Sequence, residues 1–139
     1  MKLSTQICTT KEQSERLLAL GLKKETADMV HVGFGGGNFM IRLYEWLSTT
    51  EIDMEGFIPA WSLHRLIEMM PNEIRVYDSI ASLIVSNEKV QYYLHDVEYS
   101  NYLTGAGRWE SGNIYDNIID CIGWLIINGY FNKEYLEEK

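Results

Sequence analysis

The sequence predicts an α+β fold, with an antiparallel sheet of about five strands and helices packed on one face. Apolar residues recur with helical spacing in three segments that begin at a capping residue, and β-branched and aromatic residues cluster in the stretches between them. Those β-rich stretches mostly follow one another as hairpins and do not alternate with helices. A length of 139 residues is usual for one domain, so we expect a single domain over residues 1–139.

The first helix is expected from about Lys11 to Leu20. Thr10 is a good N-cap, and Gln13 completes a capping box three residues later. Gly21 follows the last apolar positions, which predicts that the helix ends there in a Schellman motif.

A hairpin is expected next, with strands near Met29–Phe34 and Phe39–Trp46. Both stretches are rich in β-branched and aromatic residues. In the second strand Phe39, Ile41 and Leu43 share one face, which is the alternation of a half-buried strand.

The run VGFGGGNF, residues 32–39, joins these strands and raises the question of a phosphate site. A dinucleotide-binding loop needs a further glycine where Asn38 stands and a helix after it, and a P-loop needs Lys followed by Ser or Thr. None of these features is in the sequence. We therefore expect a tight turn whose glycines supply unusual backbone angles.

The middle of the chain carries the clearest helix, in the segment IPAWSLHRLIEMMP. Ser62 is its predicted N-cap and Pro71 marks its end. Its apolar positions have helical spacing: Leu63, Leu66, Ile67 and Met70. Strand character returns over residues 73–99 in the runs EIRVY, ASLIVS and KVQYYLHDV, and a hairpin is expected at residues 87–88.

A loop is expected over residues 100–112, followed by a closing helix. Asn113 is the predicted cap and Gly129 the stop, and Asn132 caps a final turn. The helix has a broad apolar stripe: Ile114, Ile118, Cys121, Ile122, Leu125 and Ile126.

Candidate catalytic and metal-binding residues are few, and we expect no catalytic site, metal or cofactor. His64 and Glu68 are one helical turn apart, a spacing typical of a solvated pair. His31 and His95 belong to other segments, so the three histidines have no common motif. Cys8 and Cys121 lack metal spacing and an activating neighbour, and we expect both to be reduced thiols.

The formal net charge is −8, and it is uneven. Residues 1–70 have 7 basic and 9 acidic side chains, whereas residues 71–139 have 5 and 11. This balance disfavours direct binding to nucleic acid and fits a basic protein partner. No stretch resembles a secretory signal or a membrane span, which predicts a cytoplasmic protein that contacts no membrane. The oligomeric state has no signature in the sequence.

Aromatic residues suggest where a partner would bind. Three of the four tryptophans lie in or beside expected elements, but Trp109 lies in the 99–112 loop with Tyr99 and Tyr102. Loop aromatics are typical anchors of binding surfaces, and Asp116 and Asp120 follow on the polar side of the closing helix. Packing of this loop over the sheet is the structural alternative.

The segments LGLKKETADM, IPAWSLHRLIEMMP and IYDNIIDCIGWLIINGYFNKEYL resemble an uncharacterised family of small acidic intracellular proteins. That family is associated with phage-like or conjugative mobile elements of gut anaerobes and has no assigned activity. The resemblance implies an accessory protein, and it supplies no catalytic residues.

Three functions remain open from the sequence. The first is a non-enzymatic protein-interaction protein of a mobile element that uses the aromatic and acidic residues Tyr99, Tyr102, Trp109, Asp116 and Asp120. The second is an immunity or inhibitor protein that presents carboxylates to a basic nuclease or nucleic-acid-binding protein. The third is a small metal-dependent hydrolase that uses His31, His64 or His95 with a nearby carboxylate.

Overall fold

The computed structural model describes residues 6–33, 39–48, 56–76, 78–94 and 108–138. Their contacts group into two compact units. Unit 1 contains the described residues up to Leu66 together with those from Glu134 onward, and unit 2 contains those from Ile67 to Lys133. Three α-helices and two antiparallel sheets confirm the α+β class. The single domain over 1–139 stays a prediction.

Helix α1, Lys11–Ala19, opens unit 1 and has the ends that the sequence predicts. The Thr10 hydroxyl accepts the Gln13 N–H at 3.1 Å, and the Gln13 side chain accepts the Thr10 N–H at 3.0 Å. Gly21 has a φ of 105°, and the next residue, Leu22, donates its N–H to the Leu17 carbonyl. This is the expected Schellman motif.

The sheet of unit 1 has the order β2-β1-β3, with β1 at Met29–Gly33, β2 at Phe39–Leu43 and β3 at Gly56–Ala60. Both pairings are antiparallel. The register places Gly33 opposite Phe39, which confirms the hairpin strands on either side of the glycine run. A strand, and not a helix, therefore follows the glycines; the turn itself, residues 34–38, lies outside the described residues.

One boundary in this region was predicted wrongly, and one strand was not predicted. The chain after β2 forms a short 3₁₀ helix, Tyr44–Ser48, so the strand ends at Leu43 and not at Trp46. The second error is the omission of β3, because Pro59 in IPAWS suggests the beginning of a helix. The structure tolerates Pro59 because β3 is an edge strand of the described sheet, and the alternation of peptide groups turns its nitrogen away from β1.

Helix α2, Leu63–Met69, begins at a cap built from two parts of the chain. The Ser62 hydroxyl accepts the Arg65 N–H at 3.2 Å, as expected of an N-cap. Asp28, just before β1, accepts hydrogen bonds from both the N–H and the hydroxyl of Ser62. The start of the helix is thereby tied to the start of the sheet.

The end of the chain returns to unit 1. Lys23 donates its N–H to the Tyr135 carbonyl at 2.9 Å, and Glu137 donates to the Gly21 carbonyl at 2.7 Å. These two bonds flank an isolated antiparallel bridge between Leu22 and Leu136. The segment after the Schellman glycine therefore gives the C-terminal residues a backbone partner.

Unit 2 is a four-stranded antiparallel meander, β4-β5-β6-β7, with one long helix. The strands are β4 Glu73–Val76, β5 Ser79–Val85, β6 Val90–Leu94 and β7 Arg108–Trp109, and the helix is α3 Ile114–Ile127. Helix α3 packs on β6 and β7.

The ends of α3 also follow the sequence prediction. Asn113 accepts the N–H groups of Tyr115 and Asp116, and Gly129 has a φ of 77° just after the helix. The 3₁₀ turn Lys133–Tyr135 follows. No helix among the described residues is long and apolar enough to cross a membrane.

The division into two sheets differs from the predicted single sheet of about five strands. Seven strands are present among the described residues, because β3 and the short β7 add to the five expected. Each described pairing joins strands of the same unit. The division into two sheets depends on pairing between residues that are distant in the sequence. Local periodicity carries no information about such pairing.

Gly129 offers a direct test of the α3 terminus. Replacing Gly129 with alanine is expected to lower the free energy of unfolding by about 1 kcal/mol, because its φ lies in the left-handed region that a Cβ disfavours. Gly112→Ala is the matched control: a Cβ there has open space and the backbone angle is ordinary. Urea denaturation of the two variants measures the difference, and equal stability would contradict the assigned cap.

Candidate protein-binding surface

Strand β2 exposes apolar side chains along its whole length. Phe39 and Met40 are each 44% exposed, Ile41 is 37% exposed and Leu43 is 55% exposed. Four of the five residues of the strand are thus large, apolar and open to solvent. An apolar patch of this kind on a folded unit is typical of an interaction site.

The apolar residues lie on both faces of the strand. Phe39, Ile41 and Leu43 share the face of His31, and Met40 lies on the other face, opposite Val32. The prediction that the alternation of Phe39, Ile41 and Leu43 marks a half-buried strand is wrong, because all three side chains are exposed. The register gives the physical reason: the fully enclosed Val30 and Val32 of β1 lie opposite Arg42 and Met40, so the buried face of β1 is not the face that Phe39, Ile41 and Leu43 share.

The backbone of β2 has an open side as well. Tyr44 donates its N–H to the Asp28 carbonyl at 2.9 Å, one step beyond the β1–β2 ladder. Peptide groups alternate along an antiparallel strand, so those of Met40 and Arg42 also face β1. Those of Phe39, Ile41 and Leu43 face outward. We call Phe39–Leu43 with these outward groups the β2 edge.

Cationic groups border the β2 edge. The Lys11 ammonium lies 3.0 Å from the centroid of the Phe39 ring, in a cation–π contact. Arg42 folds along its own strand: one guanidinium nitrogen donates to the Ile41 carbonyl at 3.0 Å and another lies 3.5 Å from the Met40 sulfur. Its guanidinium carbon is 5.9 Å from the Trp46 ring centroid.

Gly33 allows the Phe39 ring to take its position. A Cβ built on Gly33 would lie 3.2 Å from a ring carbon of Phe39. The Phe39 ring therefore lies against the backbone of Gly33, and the Lys11 ammonium lies over the ring. This is a packing role for a glycine that the sequence suggested only as part of a turn.

The residues predicted from the loop are only partly described. Tyr99 and Tyr102 lie outside the described residues. Trp109 belongs to β7, is half-buried, and has its ring centroid 5.6 Å from that of Trp124. Asp116 is half-buried in the first turn of α3, and Asp120 is exposed one turn later. The role of these residues in partner binding stays a prediction, and Trp109 also has the packing role that the structural alternative expects.

The histidines and thiols do not form a described catalytic centre. His31 donates through Nε2 to the Thr9 carbonyl at 2.8 Å, and His64 is exposed on α2. Among the described residues, which exclude His95, no three His, Cys, Asp or Glu side chains form a possible metal site.

Both thiols are buried and free of disulfide bonds. Burial, with a smaller contribution from Asp28, raises the pKa of the Cys8 thiol to about 11. Burial also raises the pKa of the Cys121 thiol well above its usual range, with a smaller contribution from Asp120. A higher pKa lowers the thiolate fraction at neutral pH, so neither thiol is an activated nucleophile.

A polar cleft of about 420 Å³ lies in unit 2, beside the β5–β6 turn and the start of α3. Its charged side chains are Glu88, Lys89, Arg108 and Glu110, and Arg108 forms a salt bridge with Glu110. Equal numbers of acidic and basic side chains line the cleft. Its charge therefore favours neither an anionic nor a cationic ligand.

No protein-family model, curated protein or solved structure matches this chain. The sequence contained part of the signal for the β2 edge, since FMIRL is visibly apolar at four of five positions. Its exposure is a property of the sheet order, which sequence periodicity does not encode.

Proposed function

We propose that this protein is a non-enzymatic interaction module that binds a protein partner on the β2 edge. The observation that carries the proposal is the exposure of Phe39, Met40, Ile41 and Leu43 on a strand whose outer peptide groups face away from the described sheet. Exposed apolar edge strands promote unwanted pairing, and proteins usually protect them with charges, prolines or covering segments. The exposure of four apolar side chains on one edge strand is best explained by contact with a partner.

The other edge of the same sheet supports this choice by contrast. On β3 the proline at position 59 removes an N–H from the outer side, so the backbone of that strand is a poor template for pairing. Proline is absent from β2, so each of its outward residues keeps its backbone N–H. The β3 edge is thus blocked against strand pairing, whereas the β2 edge is available for it.

The inhibitor function is supported less well by the described surface. An inhibitor of a basic nuclease would present carboxylates, whereas β2 contains Arg42 and no acidic residue, and Lys11 lies beside it. It stays a prediction that rests on the net charge. The association with a mobile element likewise stays a prediction that rests on the resemblance.

Replacing Leu43 with lysine is expected to abolish capture of the partner. Leu43 is 55% exposed, so the fold tolerates the change, but a charge within the apolar contact costs at least about tenfold in affinity. The measurement is a quantitative pull-down from native lysate with the tagged full chain. Ile127→Lys is the matched control, because Ile127 is 84% exposed on α3 in unit 2. Retention of the partner by Leu43→Lys and its loss with Ile127→Lys would place the binding surface elsewhere.

A further inference from the structure

We propose, building on the interaction function above, that the occupant of the β2 edge is an extended segment of the partner. The segment adds to β2 as an antiparallel strand and carries a carboxylate opposite Arg42. Phe39 and Ile41 each turn an N–H and a carbonyl toward the position that this strand would take, and Leu43 turns its N–H there; the Leu43 carbonyl begins the 3₁₀ helix that follows. Main-chain hydrogen bonds would supply the affinity, and the side chains at alternate positions the specificity.

Arg42 sets the charge of the partner. In the free protein its guanidinium donates a hydrogen bond to the Ile41 carbonyl. That carbonyl is one of the outward groups to which an added strand would bond. An incoming N–H displaces it from that carbonyl. The displaced guanidinium then requires an acceptor, and a carboxylate on the residue opposite Arg42 supplies one with charge-assisted hydrogen bonds.

A second copy of this chain fits the β2 edge poorly. Antiparallel self-pairing centred on Ile41 places Leu43 opposite Phe39 of the other copy and Arg42 opposite Met40 of the other copy. Arg42 then gains no carboxylate, whereas an acidic segment would supply one. The net charge of −8 on each copy adds repulsion. Arg42 therefore selects against self-association and for an acidic segment.

The register gives the recognition pattern in order. Read from the residue opposite Leu43 to the one opposite Phe39, the added strand is apolar, acidic, apolar, unrestricted, apolar. The three apolar positions lie beside Leu43, Ile41 and Phe39 on one face, and cross-strand contact between β-branched and aromatic side chains stabilises such pairs. The unrestricted position lies opposite Met40.

The test uses synthetic peptides with the full-length protein. The matching probe is acetyl-Ser-Val-Glu-Val-Thr-Val-Ser-amide, and the first control replaces its Glu with Lys. The second control reverses the core to Val-Thr-Val-Glu-Val, so that the carboxylate meets Met40 in antiparallel pairing. The matching peptide is expected to bind about tenfold more tightly than either control at low salt, and added salt is expected to reduce the preference over the Lys peptide.

Amide hydrogen exchange distinguishes strand addition from side-chain docking. Strand addition is expected to slow exchange of the Phe39, Ile41 and Leu43 amides and to leave Met40 and Arg42, which already bond to β1, nearly unchanged. Arg42→Gln is expected to reduce the ratio of the affinities for the Glu peptide and the Lys peptide to about one. Arg75→Gln, a change at an exposed arginine on the edge strand β4 of unit 2, is expected to keep it.

Three results would overturn the inference: equal affinity for the Glu and Lys peptides, binding without slowed exchange at the outward amides, or the same slowed exchange in a peptide-free dimer. The last result assigns the β2 edge to a second copy. If Leu43→Lys abolishes capture of the partner while no peptide protects the outward amides, strand addition is wrong and the interaction function stands. If Leu43→Lys leaves capture of the partner unchanged, the β2 edge is not the binding surface and the proposed function at that edge is wrong.

Discussion

Replacing Trp61 with alanine is expected to lower the free energy of unfolding of unit 1 by about 4 kcal/mol. Trp61 is fully buried between the end of β3 and the start of α2. Truncation of a buried tryptophan removes a large packed surface and leaves a cavity that the surroundings fill only in part. Urea denaturation, followed by circular dichroism, measures the loss.

Hydrogen bonds at Trp61 add to the packing. Its indole N–H donates to the Thr26 hydroxyl at 3.0 Å, and its backbone N–H donates to the Thr9 hydroxyl at 3.0 Å. The Thr9 N–H in turn donates to the Trp61 carbonyl at 2.9 Å. This one residue therefore connects the segment before α1, the 3₁₀ turn Lys24–Thr26 and the start of α2.

Two further variants separate these contributions. Trp61→Phe keeps most of the ring volume and loses the bond to Thr26, so it is expected to cost about 2 kcal/mol. Trp46→Ala, at a half-buried tryptophan of the same unit, is expected to cost less than either change. If Trp46→Ala destabilised the unit more than Trp61→Ala, the core of unit 1 would not be centred on Trp61.

Local signals explain which parts of the fold were predictable. The capping box at Thr10 and Gln13 and the glycine stops at Gly21 and Gly129 depend on residues within one helical turn. Such signals are complete in the sequence, and the structure contains each of them. The hairpin strands around the glycine run were predictable for the same reason.

Long-range pairing explains what was missed. Strand β3 contains a proline that is acceptable only because its nitrogen faces the outside of the sheet, and β7 has two residues and owes its existence to pairing with β6. Neither condition is local. The sequence likewise identified the shared face of Phe39, Ile41 and Leu43 and could not show that β2 lies at an edge.

The same reasoning applies to the candidate site. The loop prediction relied on composition and selected Trp109 with its neighbouring residues, since aromatic side chains are common in interfaces. Composition does not distinguish an aromatic side chain that is exposed for partner binding from one that packs on the protein's own core. In the structure the Trp109 ring packs on Trp124, and the largest exposed apolar series among the described residues is on β2.

Replacing Trp124 with alanine is expected to lower the free energy of unfolding of unit 2 by about 3 kcal/mol. Trp124 is half-buried on α3 and is the common neighbour of three rings. The centroids of Trp109 and Tyr130 are each 5.6 Å from its own, and that of Tyr92 is 6.3 Å away. Its removal exposes all three, whereas Ile127→Ala on the same helix is expected to be nearly neutral because Ile127 is 84% exposed.

The coupling between Trp109 and Trp124 decides what Trp109 does in the free protein. Tilted aromatic pairs at this distance contribute about 1 kcal/mol beyond their buried area, so a double-mutant cycle of the two alanine variants is expected to return a coupling of that size. A coupling near zero would mean that Trp109 is not held by the helix and is available to a partner. A coupling of the expected size makes Trp109 part of the structure of unit 2, and any loss of partner binding in Trp109→Ala must then be corrected for the loss of stability before it is counted as a contact.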